Sequence, residues 1–331
     1  MLFYIARRLV SAISVVLVTI IVSFLLFYAA PTDPAGYICG ARCTPARVAE
    51  ITHSLKLDEP VPQQLVGYVE GIFVGRDFTN SGVTTHCSAP CLGYSYQLGQ
   101  PVTTLVRAAL PVTVTIVLGA AVIFLSIGLW TGIAAARRRG TAVDRGLVMV
   151  SQGLGSIPYF VFALIISLYV PYYIHFMPEA RYSAGQLTSA PFKWFEGFLL
   201  PWLTLGVFSS SLYTRYARAS MIESLSEDYV RTARAKGISA RRVVYKHALR
   251  AALTPITTIF GLDLAFQLSG ALITEYIFGL PGLGVLTLHA FGRNDLPILM
   301  AGALIGAALL VAMNLIVDIL YTVLDPRVRL T

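Results

Sequence analysis

Four cysteines stand in two pairs, Cys39 with Cys43 and Cys87 with Cys91, each with three residues between its members. Thiols outside a cell oxidise and stay oxidised, which favours two disulfides. Four cysteines permit three connectivities, and spacing does not choose among them. Local bridges would tighten two small loops, whereas crossed bridges would staple the ends of the segment and restrict its unfolded chain more. The alternative is a four-thiolate metal site helped by His53 or His86. A second group of residues lies in an apolar run: Asp263 and Gln267 are four apart and share a helix face, and Glu275 follows just before a Gly-Leu-Pro-Gly-Leu-Gly turn at 279–284. Ionisable groups in such surroundings face a wet cavity or a neighbouring helix. Asp263 and Gln267 therefore either line a path for a solute or make hydrogen bonds between helices, and Glu275 is expected on the same path. The glycine-rich turn can re-enter from one side as part of a gate, because irregular backbone is tolerated where protein or water shields it. Asp318 and Asp325 fit a packing or boundary role near the end of the last apolar run.

Other chemistry finds no support. A phosphate loop needs a lysine followed by Ser or Thr, and Lys56, Lys193, Lys236 and Lys246 precede Leu, Trp, Gly and His. His175, His247 and His289 lie near or beyond the ends of apolar runs, Asp263 and Asp318 are lone acids, and no HExxH occurs, so an intramembrane hydrolase lacks its nucleophile and base. Neither catalytic residues nor a resident metal are expected.

The elements that must position these residues follow from composition. Of 331 residues 56% are hydrophobic and 13% charged, with mean hydropathy +0.70. Soluble domains carry about 25% charged residues, so composition excludes one, and disordered chains are richer still in charge. A bilayer core needs roughly 20 apolar residues as a helix. Runs at 9–30, 110–136, 147–176, 198–213, 256–277 and 298–320 meet or approach that length, the third with Pro158 and Pro171 as kinks. The first run exceeds the 7–15 apolar residues of a signal peptide and reads as a retained helix. Six spans result. Seventeen of the 25 basic residues fall on the side that holds the N-terminus, nine of them between Arg215 and Arg250, which places both termini in the cytoplasm. The net charge of +8 is then topology and needs no nucleic acid.

The chain divides into residues 1–30, a start and first span; 31–104, an outer segment with both cysteine pairs; and 105–331, a five-helix core with a basic inner loop at 219–255. The outer segment reads as a small helical cap. Thr44-Pro45 opens a helix as N-cap and first residue; Val48, Ile51 and Leu55 share one face, as do Leu65, Tyr68, Val69, Ile72 and Phe73. The inner loop is patterned helix, Gly237, helix, with Ile238-Ser239 opening the second. From Arg215 to Arg250 the net charge is +6, suited to an acidic partner or simply to solvation on the inner side.

In that loop DYVRTARAKG followed by HALRAALTP resembles the coupling loop of ABC importer membrane subunits, more narrowly those of the dipeptide/oligopeptide/nickel permease family. LITEYIFGLPGLG at 272–284, NLIVDILYTVLDPRVR at 314–329 and LKLDEPVPQQLVGYV at 55–69 agree, so the resemblance covers nearly the whole chain. It is to the first of two permease subunits, the one with a long outer segment. Two departures stand out. Arg231, Thr232 and Ala233 replace the loop's Glu-Ala-Ala, with Gly237 in place. A family-like stretch is also split between 75–78 and 92–95 by residues that carry Cys87 and Cys91, and the pair at Cys39 and Cys43 looks added too.

The resemblance implies an all-α polytopic membrane protein with the type I ABC importer fold in the cytoplasmic membrane of a prokaryote. It implies a non-enzymatic subunit that translocates short peptides by alternating access, with nickel chelates or haem as the alternative cargo. An ion-coupled secondary transporter is the remaining class, and the internal repeat usual there is not evident. The implied partners are a second permease subunit, two ATPase subunits that bind ATP and Mg, an external substrate-binding protein, and the bilayer. Asp228, Tyr229, Arg231, Ala233, Arg234, Lys236, Gly237 and His247 are the implied ATPase-coupling residues.

Overall fold

The computed structural model describes residues 2–29, 33–39, 44–80, 82–175, 177–183 and 185–324. Cys43 and Asp325 lie outside these, as does the side chain of Asp318. Helix α1 (Leu2–Phe24) runs on through a π-helical turn (Leu25–Ala29). The segment after it carries α2 (Pro34–Cys39), α3 (Pro45–Ser54) and α4 (Val61–Val74). Strands β1 (Arg76–Asn80) and β2 (Val83–Cys87) follow, then β3 (Tyr94–Ser95) and β4 (Gln100–Pro101). Next come α5 (Val102–Arg137), α6 (Ala142–Ser156), α7 (Tyr159–Tyr169) with a π-turn (Val170–Ile174), α8 (Gln186–Ser189) and α9 (Pro191–Ser226). The basic segment holds α10 (Asp228–Ala235), α11 (Ala240–Arg242) and a π-turn (Val243–Ala248) that enters α12 (Leu249–Leu268). Helices α13 (Leu272–Ile277), α14 (Leu283–Arg293) and α15 (Leu296–Leu324) complete the chain.

Among the described residues four helical stretches are long and apolar enough to cross a membrane: Val102–Arg137, Pro191–Ser226, Ala240–Leu268 and Leu296–Val317. Helices α6 and α7 make a fifth if their 93° bend is one broken span. The bend falls at Ile157, whose backbone is extended, and Pro158, which has no N–H to continue the ladder. Helix α1 contributes the shorter apolar stretch Ile13–Phe27. The fifth run expected over 256–277 is interrupted: α12 stops at Leu268, and Gly270, with φ +148°, turns the chain into the separate α13.

Helices α5 and α9 run parallel and close together. A Cβ on Gly128 would sit 2.4 Å from the Cβ of Tyr213, and one on Gly132 would sit 2.5 Å from that of Ala217. This small-xxx-small spacing is how membrane helices approach closely without a hydrophobic driving force. Thr131 and Thr214 share a hydrogen bond of 2.7 Å across the seam, and the Trp202 indole N–H donates to the Thr115 carbonyl at 2.7 Å.

The described residues are mostly helical, as expected, but the cap is not purely helical, and that part of the expectation is corrected. Residues 75–101 build two antiparallel hairpins, β1 with β2 and β3 with β4. Thr44 does cap α3, accepting from the Arg47 N–H, and Ile51 is buried with Val48 and Leu55 packed beside it. Leu65, Tyr68, Val69 and Ile72 pack inward as expected, but Phe73 is 75% exposed, because it falls at the edge of that face. The second strand, Val83–Cys87, leads into a loop closed by a Cys87–Cys91 disulfide. That loop returns the chain so that Tyr94 stacks on Phe78, with ring centroids 5.5 Å apart. The pairing is local, which excludes crossed bridges for these two. Cys39 is also disulfide-bonded, and no described cysteine is free for a thiolate metal site. Arg76 lies over the Tyr68 and Phe78 rings, and burial pushes the Tyr96 hydroxyl up to about 12. The cap joins Ile20 and Phe24 of α1 to Met300 and Leu304 of α15 in one apolar cluster. Ser95 donates to the carboxylate of the buried Asp295 at the α14–α15 junction.

Candidate functional site

The basic segment is a knob built on a break. Glu227 is extended (φ −65°, ψ 149°) and ends α9; α10 then starts on Asp228, an acid at a helix N-terminus, and carries Arg234 in its last turn, both matched to the helix dipole. Val230 and Ala233 of α10 are buried with Met221, Val243, Val244, Ala248 and Ala252. The opposite face is exposed and basic: Arg231, Arg234 and Lys236, then Arg241, Arg242 and Lys246. Tyr229 is exposed beside them, Arg231 pairs with Asp228 at 3.5 Å, and His247 is half-buried. Gly237 has φ +72°, and nothing lies within 4 Å of a Cβ placed on it. Backbone handedness, not space, therefore requires glycine there. A cavity of about 570 Å³ opens between Ser239, Arg241, Arg242, Tyr245 and Lys246. The eight expected coupling residues thus share one knob, with Ala233 holding it to the body and the others at its surface or its turn.

One linkage was absent from the sequence reading. Arg218, two turns above the end of α9, grips the buried Asp144 at the start of α6 with two hydrogen bonds, of 2.6 and 2.8 Å. Asp144 also accepts the Gly140 N–H at 2.9 Å. Its signal was present: Thr141 and Asp144 stand in the spacing of a capping box, with Thr141 as N-cap.

The three polar residues Asp263, Gln267 and Glu275 do not form one row. Tyr213, stacked on Phe124, donates its hydroxyl to Asp263 at 2.9 Å, a hydrogen bond between α9 and α12. One turn further, the Gln267 carbonyl oxygen is buried without a hydrogen-bond partner. Glu275 belongs to α13 and is fully buried. Thr113 of α5 donates to one carboxylate oxygen at 2.6 Å and the Val285 N–H to the other at 3.0 Å. Thr113 in turn accepts the Leu283 N–H at 2.8 Å. A Cβ on Gly282 would fall 2.2 Å from the Glu275 carboxyl carbon, so the glycine-rich turn wraps this side chain. Tyr159 of α7 reaches Thr274 at 2.6 Å. The helical hairpin α13–α14 is thereby pinned to α5 and α7.

Two adjoining family descriptions match the chain. Residues 128–330 match the "Binding-protein-dependent transport system inner membrane component", and residues 1–117 match the N-terminal part of the same membrane component. The chain belongs to this inner-membrane component family. Relatives align end to end. The probable peptide ABC transporter permease protein y4tP of Sinorhizobium fredii is 36% identical over 98% of this chain and 99% of its own. The oligopeptide transport system permease protein AppB of Bacillus subtilis is 34% identical over 98% and 99%. The di/tripeptide transport system permease protein DppB of Pseudomonas aeruginosa is 34% identical over 99% of both. As an inner-membrane component the chain is the ABC permease that its basic segment and its glycine-rich turn resembled, a membrane subunit of a binding-protein-dependent transporter. The stretch LITEYIFGLPGLG, which shared in that resemblance, is the one that forms the Glu275-centred hairpin.

Proposed function

We propose that this permease carries short peptides inward across the cytoplasmic membrane of a prokaryote, as one of two membrane subunits powered by two separate ATPase subunits. The carrying observation is the end-to-end likeness to peptide permeases from three organisms. Six helices span the membrane, both termini lie inside, and residues 31–104 form a cap outside, where an external binding protein delivers the peptide and sets much of the selectivity. The exposed basic face of α10 and of the turn after Gly237 supports docking on an acidic ATPase surface. ATP and Mg belong to those partners, since this chain has no phosphate-loop lysine. Closure of the ATPase dimer moves the knob as a rigid body, and α9 and α12 pass the motion to the hydrogen bonds of Asp263 and Glu275 and to the Gln267 side chain between them. Glu275 acts there as an anchor for the gate hairpin, and Asp263 and Gln267 face the path.

The test is reconstitution of the chain with its partner permease, ATPases and binding protein in liposomes. Uptake of labelled dipeptides to oligopeptides should need ATP and should stop when the ATPase phosphate-loop lysine is replaced. Peptide uptake that persists without the ATPases would refute the proposal and favour ion coupling.

A further inference from the structure

A second cavity, of about 430 Å³, lies at the end of α5 where α6 and the basic segment meet it. Its walls are of two kinds. Trp130, Val143 and Leu147 are apolar, and the Trp130 ring is 72% exposed. Arg137 and Arg138 supply two exposed cations, and neither forms an ion pair among the described residues. Trp130 and Arg137 are seven residues apart, so the ring and the cation share one face of α5. Tyr245 of the basic segment also lines the cavity, and its ring lies 5.9 Å from the Arg137 guanidinium carbon. A tryptophan one helical repeat below a pair of arginines is the pattern of a membrane–water boundary. Basic pockets between helices at that depth recognise lipid phosphates. Charge signals for topology require neither a cavity nor an aromatic floor. Arg139, next in sequence, is the internal contrast: it is exposed and does not line the cavity.

We propose that this cavity holds one anionic glycerophospholipid, with its phosphate between Arg137 and Arg138 and an acyl chain along Trp130 and Leu147. Through Tyr245 the headgroup touches the segment that docks the ATPase, so the lipid supports coupling between ATP hydrolysis and transport. The proposal rests on the orientation proposed above, in which this end of α5 faces the cytoplasm.

The test uses the full transporter in nanodiscs of phosphatidylcholine with or without phosphatidylglycerol. Native mass spectrometry counts retained phosphatidylglycerol, and peptide-stimulated ATPase activity reports coupling. Each arginine near the surface is worth roughly a five-fold change in anionic-lipid affinity, so R137Q/R138Q should weaken retention by about 25- to 30-fold and abolish the stimulation by phosphatidylglycerol. R139Q should leave both as in the parent. Equal losses in R139Q and R137Q/R138Q would reduce the effect to diffuse charge and overturn the site, as would unchanged retention in the double variant. A cross-link from W130C to the second permease subunit would also overturn it, because protein would then fill the cavity. Orientation is read separately: R139C should react with an impermeant maleimide only from the cytoplasmic side. Labelling from outside would reject the orientation without touching the lipid count.

Discussion

Gly237 offers the sharpest separation of backbone strain from side-chain crowding. Its φ is +72°, and an added Cβ would meet nothing within 4 Å, so a substitution is penalised by conformation alone. Alanine in the left-handed region costs roughly 1–2 kcal/mol, asparagine visits it more readily, and a β-branched residue fares worse. The expected order of damage is therefore Asn, then Ala, then Val. About 1–2 kcal/mol changes the ratio between the docked geometry of α10 and alternatives by roughly 5- to 30-fold. The assay is peptide-stimulated ATPase activity and ATP-driven uptake in reconstituted complexes, alongside the yield of assembled complex on a sizing column. Assembly should hold, because Val230 and Ala233 still bury their side chains, while coupling falls in the stated order. Equal coupling in G237N, G237A and G237V would refute the strain argument. Loss of assembly in G237A would show that the turn holds the subunits together instead.

Arg218→Met should destabilise the purified permease by on the order of 3 kcal/mol, because it strands the buried Asp144 charge; D144L/R218M should recover most of that in thermal melts. Glu275→Ala leaves the Thr113 hydroxyl and the Val285 N–H without their acceptor, roughly 1–3 kcal/mol for each buried group. Uptake should fail in E275A while the complex still co-purifies with its ATPases. Burial raises the pKa of Asp295, so the fold favours its neutral form. The resulting stability is full below the ordinary carboxylate pKa and is lost as pH rises through the raised folded value. Proteolysis of the cap across that acidic window should therefore quicken with pH in the parent chain and run flatter in D295N.

Legibility differed by the range of the interactions involved. The long apolar runs became α5, α9, α12 and α15 because length and hydropathy are local properties, and Thr44-Pro45 announced α3 for the same reason. The knob was readable from Gly237 and its flanking periodicity. The hairpins at 75–101 were missed although Phe78-Thr79 and Val83-Thr84-Thr85 carry β-formers, because strands this short give a weak period-2 signal beside strong helical patterns. The fifth run was overextended: Ser269-Gly270 sits within continuous hydrophobicity, and only the close approach of Gly270 to Gly284, 2.9 Å for an added Cβ, shows why the chain turns. Glu275 was found but grouped with Asp263 by sequence proximity, whereas its partners are Thr113 and Val285, the first 162 residues away. Contacts of that separation leave no local trace. The Arg218–Asp144 pair, 74 residues apart, escaped for the same reason.

The seam between α5 and α9 has a mechanical consequence. Gly119 lies against Trp202, Gly206 against Ile123, Gly128 against Tyr213 and Gly132 against Ala217, all within distances that leave no room to slide. Two parallel helices, each about 54 Å long, are thereby fused into a single push rod. One end emerges as the basic knob. The other buries Trp202 and Phe198 against Phe278 and Leu280 of the Glu275 hairpin. A rod that cannot slip along its seam delivers an axial stroke undiminished, so the two ends of the permease have to switch in concert rather than in sequence.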